Sequence, residues 1–179
     1  MTTKTVLITG ASSGIGLDVA RGFLERGSNV VMNARNSEKL ANAAQKLGDE
    51  KRIAIVPGDI GNKETGERLV HTAVERFGSA DVLVNNAGIF GLKPFLENTE
   101  EDIDKYIHIN LKGTYFVTQA VVRQMKKQGG GNIVNIGTVL ITHSMSSLPA
   151  SAALITKGGV HALTTSLASE LAVDNIQVN

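Results

Sequence analysis

The chain has 179 residues, enough for one domain with a substantial core, and its 42% hydrophobic and 20% charged residues are ordinary for a globular protein. Eighteen basic against seventeen acidic residues leave a formal charge of +1, which argues against the basic footprint of a nucleic-acid binder or a polybasic membrane anchor. With no cysteine there are no disulfides, thiolate metal sites or cysteine nucleophiles, and His71, His108, His143 and His161 show no metal-ligand spacing. No basic-then-apolar leader opens the sequence and no apolar run is long enough to span a bilayer, so a cytoplasmic location is expected.

Residues 6–8 form a short β-rich run that ends in Thr9-Gly10, and residues 17–26 predict a helix stopped by Gly27. A second apolar run, 30–32, precedes a helix over Ser37–Leu47, with Ser37 placed to cap it. Residues 53–56 predict a third strand and Lys63–Phe77 a third helix, closed by Gly78. Residues 82–84 form a fourth strand that runs into Asn85-Asn86-Ala87-Gly88. One long helix is expected from about residue 100 to 127, broken by Gly129-Gly130-Gly131, then a fifth strand over 133–136. A Ser-rich stretch, 142–151, leads to a last helix over about 152–173 and the start of a sixth strand at Ile176–Val178. Strands without alternation, interleaved with helices, imply a parallel sheet covered on both faces. The expected architecture is a doubly wound α/β sheet, a Rossmann fold, in a single domain over residues 1–179.

Thr9-Gly10-Ala11-Ser12-Ser13-Gly14-Ile15-Gly16 follows the first strand and opens the first helix. Gly10 permits a tight turn, Gly14 lets backbone approach a pyrophosphate, and Gly16 lets helix and strand pack closely. The helix start adds unpaired N–H groups and a positive dipole end. After the second strand the chain reads Asn33-Ala34-Arg35, with a cation where a carboxylate would bind ribose hydroxyls in an NAD-preferring domain. Arg35 suits a 2′-phosphate, so NADP (NADPH) is expected over NAD.

The glycine turn, Asp59 after the third strand, Asn85-Asn86-Ala87-Gly88 after the fourth, Asn110 in Ile-Asn-Leu-Lys-Gly and Lys157 in Lys-Gly-Gly-Val together resemble the short-chain dehydrogenase/reductase family, in its order and over essentially the whole chain. The resemblance implies that Gly10, Ser13, Gly14, Ile15 and Gly16 hold the cofactor phosphates. Arg35 would meet the adenosine phosphate and Asp59 the adenine. Asn86, Ala87 and Gly88 would line the ribose and nicotinamide side, and Lys157 would bind the nicotinamide ribose hydroxyls. Asn110 would shape the long helix and hold a water in the proton relay.

The chain departs from the family at three points. Its proton-donating tyrosine, four residues before the lysine, is Ala153 here. Thr138 stands where the substrate-orienting serine would, Ser144, Ser146 and Ser147 compete with it in a loop longer than usual, and His143 in that loop is a candidate acid in place of the tyrosine. Tyr106 and Tyr115 lie around Asn110 and are not expected to reach the nicotinamide. The family's usual C-terminal substrate loop and last strand have no counterpart in these 179 residues, which would leave a sheet edge open. The expected activity is NADP-dependent oxidation or reduction of a small-molecule secondary alcohol or carbonyl, weak for want of the tyrosine. The alternatives are a non-catalytic NADP(H)-binding sensor or scaffold, or a purely structural partner. The resemblance also implies a homodimer or homotetramer, with no nucleic-acid or membrane partner.

Overall fold

Unbroken apolar strands need cover on both sides, and a computed structural model, which describes residues 3–179, provides it. The strands β1 (Thr5–Thr9), β2 (Asn29–Ala34), β3 (Ile53–Pro57), β4 (Val82–Asn85), β5 (Gly131–Asn135) and β6 (Ile176–Val178) form one sheet in the order β3-β2-β1-β4-β5-β6. Every neighbouring pair is parallel.

Successive residues of a strand point to opposite faces, and both faces are buried. Leu7, Val31, Leu83 and Ile133 share one core with Leu69, Val117, Val121 and Met125. Val6, Ile8, Val30, Met32, Val82 and Val84 share the other with Ala20, Leu24 and Leu40. The first core packs against α3 (Lys63–Phe77) and α5 (Thr114–Gln128), the second against α1 (Gly14–Glu25) and α2 (Ser37–Leu47).

The chain winds from β1 outward to β3, then crosses back to β4 and winds outward to β6. The reversal falls between β1 and β4, so the connections after these strands diverge and leave a crevice at their carboxyl ends, the position at which open α/β sheets take ligands.

Three expectations need correction. The long helix over 100–127 is not continuous. It consists of α4 (Glu100–Tyr106), a wide π turn (Ile107–Gly113) and α5. The wide turn accommodates an inward-facing Asn110, 1% exposed, whose amide is bound to the Ile89 backbone. Its last residue also lies against Ile60, where a Cβ on Gly113 would sit 2.6 Å from the isoleucine side chain. Ser37 does not cap α2. Asn36 does, its side chain accepting from the Lys39 N–H at 2.8 Å. The last helix, α6 (Ser151–Glu170), ends short of 173 and passes through a 3-10 turn (Ala172–Asp174) into β6.

Asn36→Ala should therefore cost about 1 kcal/mol of stability, the usual worth of a helix cap, whereas Ser37→Ala should stay within about 0.5 kcal/mol of the parent. Urea unfolding of the two variants measures the difference.

Candidate functional site

The site begins with two backbone segments that touch. Gly10 adopts φ +68, and a Cβ there would lie 2.9 Å from the Ala87 Cα. A Cβ on Gly16 would lie 2.5 Å from both the Gly10 carbonyl oxygen and the Asn86 amide nitrogen. Only glycine admits that approach. Thr9 and Asn86 join the two segments. The buried Thr9 hydroxyl accepts from the Asn86 and Ala87 N–H groups at 3.1 and 3.0 Å, and the Asn86 side-chain amide donates to the carbonyls of Thr9 and Gly10.

Past this contact a crevice of about 490 Å³ opens, lined by Gly10, Ser12, Ser13 and Ile15 on one wall and by Asn86, Ala87, Gly88 and Ile89 on another. Ser13 precedes α1 in an extended conformation, and its side chain makes no capping hydrogen bond. Its hydroxyl and the first N–H groups of α1 therefore stand ready for an anion.

At the far end the crevice is lined by Ala34, Arg35, Asn36 and Lys39. No ion pair engages Arg35 or Lys39 among the described residues, and both line the cavity. Gly58, Asp59, Ile60 and Ile109 complete the wall. Asp59 Oδ1 accepts from the Gly61 N–H at 2.9 Å.

Asn110, Lys157 and Gly88 converge as the sequence motifs anticipate. A Cβ on Gly88 would lie 3.2 Å from Asn110 Oδ1 and 3.6 Å from Lys157 Nζ. The Asn110 amide accepts from Ile89 N–H at 2.8 Å and donates to Ile89 C=O at 3.0 Å and to the Thr156 hydroxyl at 3.1 Å. Thr156 in turn donates to the Ala153 carbonyl at 2.8 Å, so the π turn is tied to the start of α6. Lys157 donates to the Ile136 carbonyl at 2.5 Å, and burial pushes its ammonium below the ordinary lysine value.

Ala153 lies one helical turn before Lys157 and is 1% exposed. Thr138 is half-buried and outside the crevice lining, its hydroxyl accepting from the Leu140 N–H at 3.2 Å. His143, Ser144, Ser146 and Ser147 are exposed on the loop, and His143 Nδ1 lies 2.9 Å from the Thr142 hydroxyl. Tyr106 approaches the loop after β4, since a Cβ on Gly91 would come 2.8 Å from its hydroxyl, whereas Tyr115 is half-exposed.

The same loop is fastened at its middle. Lys93 N–H donates to the Pro149 carbonyl at 2.7 Å, and the Lys93 ammonium pairs with Asp102. That ammonium, with the Thr99 N–H, holds the Asp102 carboxyl down to about 2.

Asn36 and Lys39 line the crevice although the sequence motifs did not single them out, and Thr9, which opens the glycine motif, acts by joining the two backbone segments. Lys39 enters the lining from the first turn of α2.

The chain is similar to known proteins over nearly its whole length. The family model for short chain dehydrogenases matches residues 4–179. An L-rhamnose-1-dehydrogenase from Scheffersomyces stipitis is 38% identical over 186 residues, which covers 98% of this chain and 70% of that protein. L-sorbose reductase from Gluconobacter frateurii, solved with NADPH and L-sorbose, superposes with a TM-score of 0.91 at 31% identity, covering 100% of this chain and 68% of that one. A 3-ketoacyl-(acyl-carrier-protein) reductase from Brucella melitensis, solved with NADH, gives 0.92 at 30% identity, covering 98% and 72%. The chain belongs to the short-chain dehydrogenase family, a family of oxidoreductases. Among the described residues no helix is long and apolar enough to cross a membrane, and no cluster of His, Asp or Glu could hold a metal ion.

Gly16→Ala should force apart the turn and Asn86. We expect a loss of about 1–3 kcal/mol, the usual cost of overpacking, and perturbed amide shifts at Thr9 and Ala87 in NMR spectra.

Proposed function

We propose that this chain is an NADP(H)-dependent oxidoreductase of carbonyl compounds and secondary alcohols, with slow turnover. The observation that carries this reading is the pair of uncommitted cations, Arg35 and Lys39, at one end of a crevice whose other walls are a glycine turn and the Asn86–Gly88 segment. The residues fit a dinucleotide phosphate. Gly10, Gly14 and Gly16 bring no Cβ to the turn, the Ser13 side chain makes no capping hydrogen bond, and the charge of Arg35 and Lys39 on the same crevice suits a 2′-phosphate.

In this reading the amides of the turn from Gly10 to Gly16, with Ser13, Gly14 and Ile15, hold the pyrophosphate. Arg35 and Lys39 hold the adenosine phosphate and Asp59 the adenine. Asn86, Ala87 and Gly88 wall the nicotinamide half, and Lys157 reaches the ribose hydroxyls beside it. The bound cofactor supplies hydride chemistry. The protein must then position the carbonyl and deliver a proton to its oxygen. Ala153 has no proton to give. The Lys157 ammonium is the nearest acid on the frame that Asn110 and Gly88 set, and its burial makes it a stronger one than a solvated lysine. It acts through water, with the Asn110 segment in the relay and Thr138 as the hydroxyl that orients substrate. Absence of a positioned acid typically costs about two to four orders of magnitude in rate, which is the reason to expect weak turnover. The groove between α5 and α6, lined by Tyr115, Gln119, Val122, Leu163 and Leu167, is the surface on which copies would pair as a homodimer or homotetramer.

Fluorescence titration should give tighter binding of NADPH than of NADH at physiological salt. Arg35→Ala combined with Lys39→Ala should weaken NADPH roughly ten- to a hundredfold, the worth of charged hydrogen bonds, and leave NADH unchanged. Equal affinities in the parent would end the NADP assignment. Ala153→Tyr should raise carbonyl-dependent NADPH oxidation by about two to four orders of magnitude if the loop over 139–147 yields to the ring. Unchanged turnover at unchanged cofactor affinity would show instead that this position does not deliver the proton.

A further inference from the structure

The π turn grips the adenine side of the crevice as well as the nicotinamide side. His108 projects from it onto the turn after β3, where a Cβ on Gly61 would meet the imidazole ring at 2.2 Å. Five residues on, Gly113 lies against Ile60 of the same turn. Asp59 immediately precedes both contact residues in the chain. Its Oδ1 is taken by the Gly61 N–H, and its Oδ2 lies 3.5 Å from His108 Nε2. Ile109, next along the π turn, lines the crevice beside Asp59 and Ile60.

An aspartate bound through one oxygen to its own turn can still swing its second oxygen. His108 is the group that faces that second oxygen from across the crevice wall. A nitrogen there tethers the second oxygen and restrains rotation of the carboxylate that lines the crevice. An exocyclic amine such as the adenine N6 is then met by a carboxylate already oriented. A base with a carbonyl at that position meets the same oxygens as a repulsion, because two acceptors face each other.

We propose that His108 is a positioning residue that sets the Asp59 carboxylate and thereby the selectivity of this crevice for an amino-purine over an oxo-purine dinucleotide. The proposal rests on the reading of the crevice as a dinucleotide site. His108 touches neither hydride donor nor substrate, so its effect is on binding and not on the chemical step. The side chains of His108 and Asp59 are 40% and 30% exposed, which keeps the contact on the scale of a partly solvated one.

The test titrates NADPH and its hypoxanthine analogue, reduced nicotinamide hypoxanthine dinucleotide phosphate, against the parent chain, His108→Leu, His108→Gln and Asp59→Asn. The parent should favour the adenine form. His108→Leu fills the same space without a nitrogen and should lose about two- to fivefold of that preference. His108→Gln keeps an N–H donor and should restore it. In Asp59→Asn the preference should shrink further, and adding His108→Leu should change nothing more. With a carbonyl substrate, KM for NADPH should rise in His108→Leu at unchanged kcat. A parent that binds neither dinucleotide removes the cofactor reading and this proposal with it. A parent that binds both equally overturns the Asp59–adenine contact and the role of His108. A preference that survives intact in His108→Leu overturns this proposal alone. Should His108→Leu not fold, His108→Ala takes its place, with partial loss of the preference deciding in favour and an intact preference deciding against.

Discussion

The approach of the turn after β1 to the end of β4 is closer than any side chain allows, and the rest of the site is arranged around it. Gly10 and Gly16 leave the space, and the Thr9 hydroxyl and Asn86 amide fill it with hydrogen bonds between segments nearly eighty residues apart in sequence. Because β1 and β4 are neighbours in the sheet, this contact is also where the winding of the fold reverses. The crevice exists because the two connections depart in opposite directions from a point where they cannot separate. Thr9, Asn33 and Asn86 pair there with backbone that would otherwise be orphaned by the strand ends, while the buried Asn85 Oδ1 at the end of β4 has no protein partner among the described residues.

The π turn is the second organising element. A straight helix over 100–128 would pack α5 against α3 but would leave no inward residue to hold Ile89. The widened turn buries Asn110, whose three hydrogen bonds join the loop after β4 to Thr156 and thus to the helix that carries Ala153 and Lys157. The same seven residues press Gly113 and His108 on the turn after β3. One irregular segment therefore contacts both the loop after β4 and the turn after β3, which line different parts of the crevice.

What could be read from the chain alone follows from which interactions are local. Strands buried on both faces announce themselves as unbroken apolar runs, and Gly27, Gly78 and Gly129 mark helix ends, so the element order and the doubly wound sheet were legible. So was the tight turn at Gly10, Gly14 and Gly16, where positive φ or close backbone approach requires glycine. The π turn was not legible, since one extra residue per turn barely shifts an apolar period, and the cause lies in Ile60 and Ile89, far away in sequence. Asn36 and Ser37 are both good caps, and only the path of the chain out of β2 decides between them. Lys39 joins the crevice through the direction of α2, which no local pattern encodes.

The distance in sequence between the halves of the cradle also has a kinetic meaning. Thr9 and the N–H of Asn86 are separated by 77 residues, and pairings of such separation form only after large loops have closed. During synthesis the glycine turn leaves the ribosome long before β4 exists, so for that interval the motif is present while its binding wall is missing. Ligand cannot nucleate this fold. It can only lock a sheet whose centre has already assembled, and it then draws down the population of opened chains in proportion to its concentration over its dissociation constant.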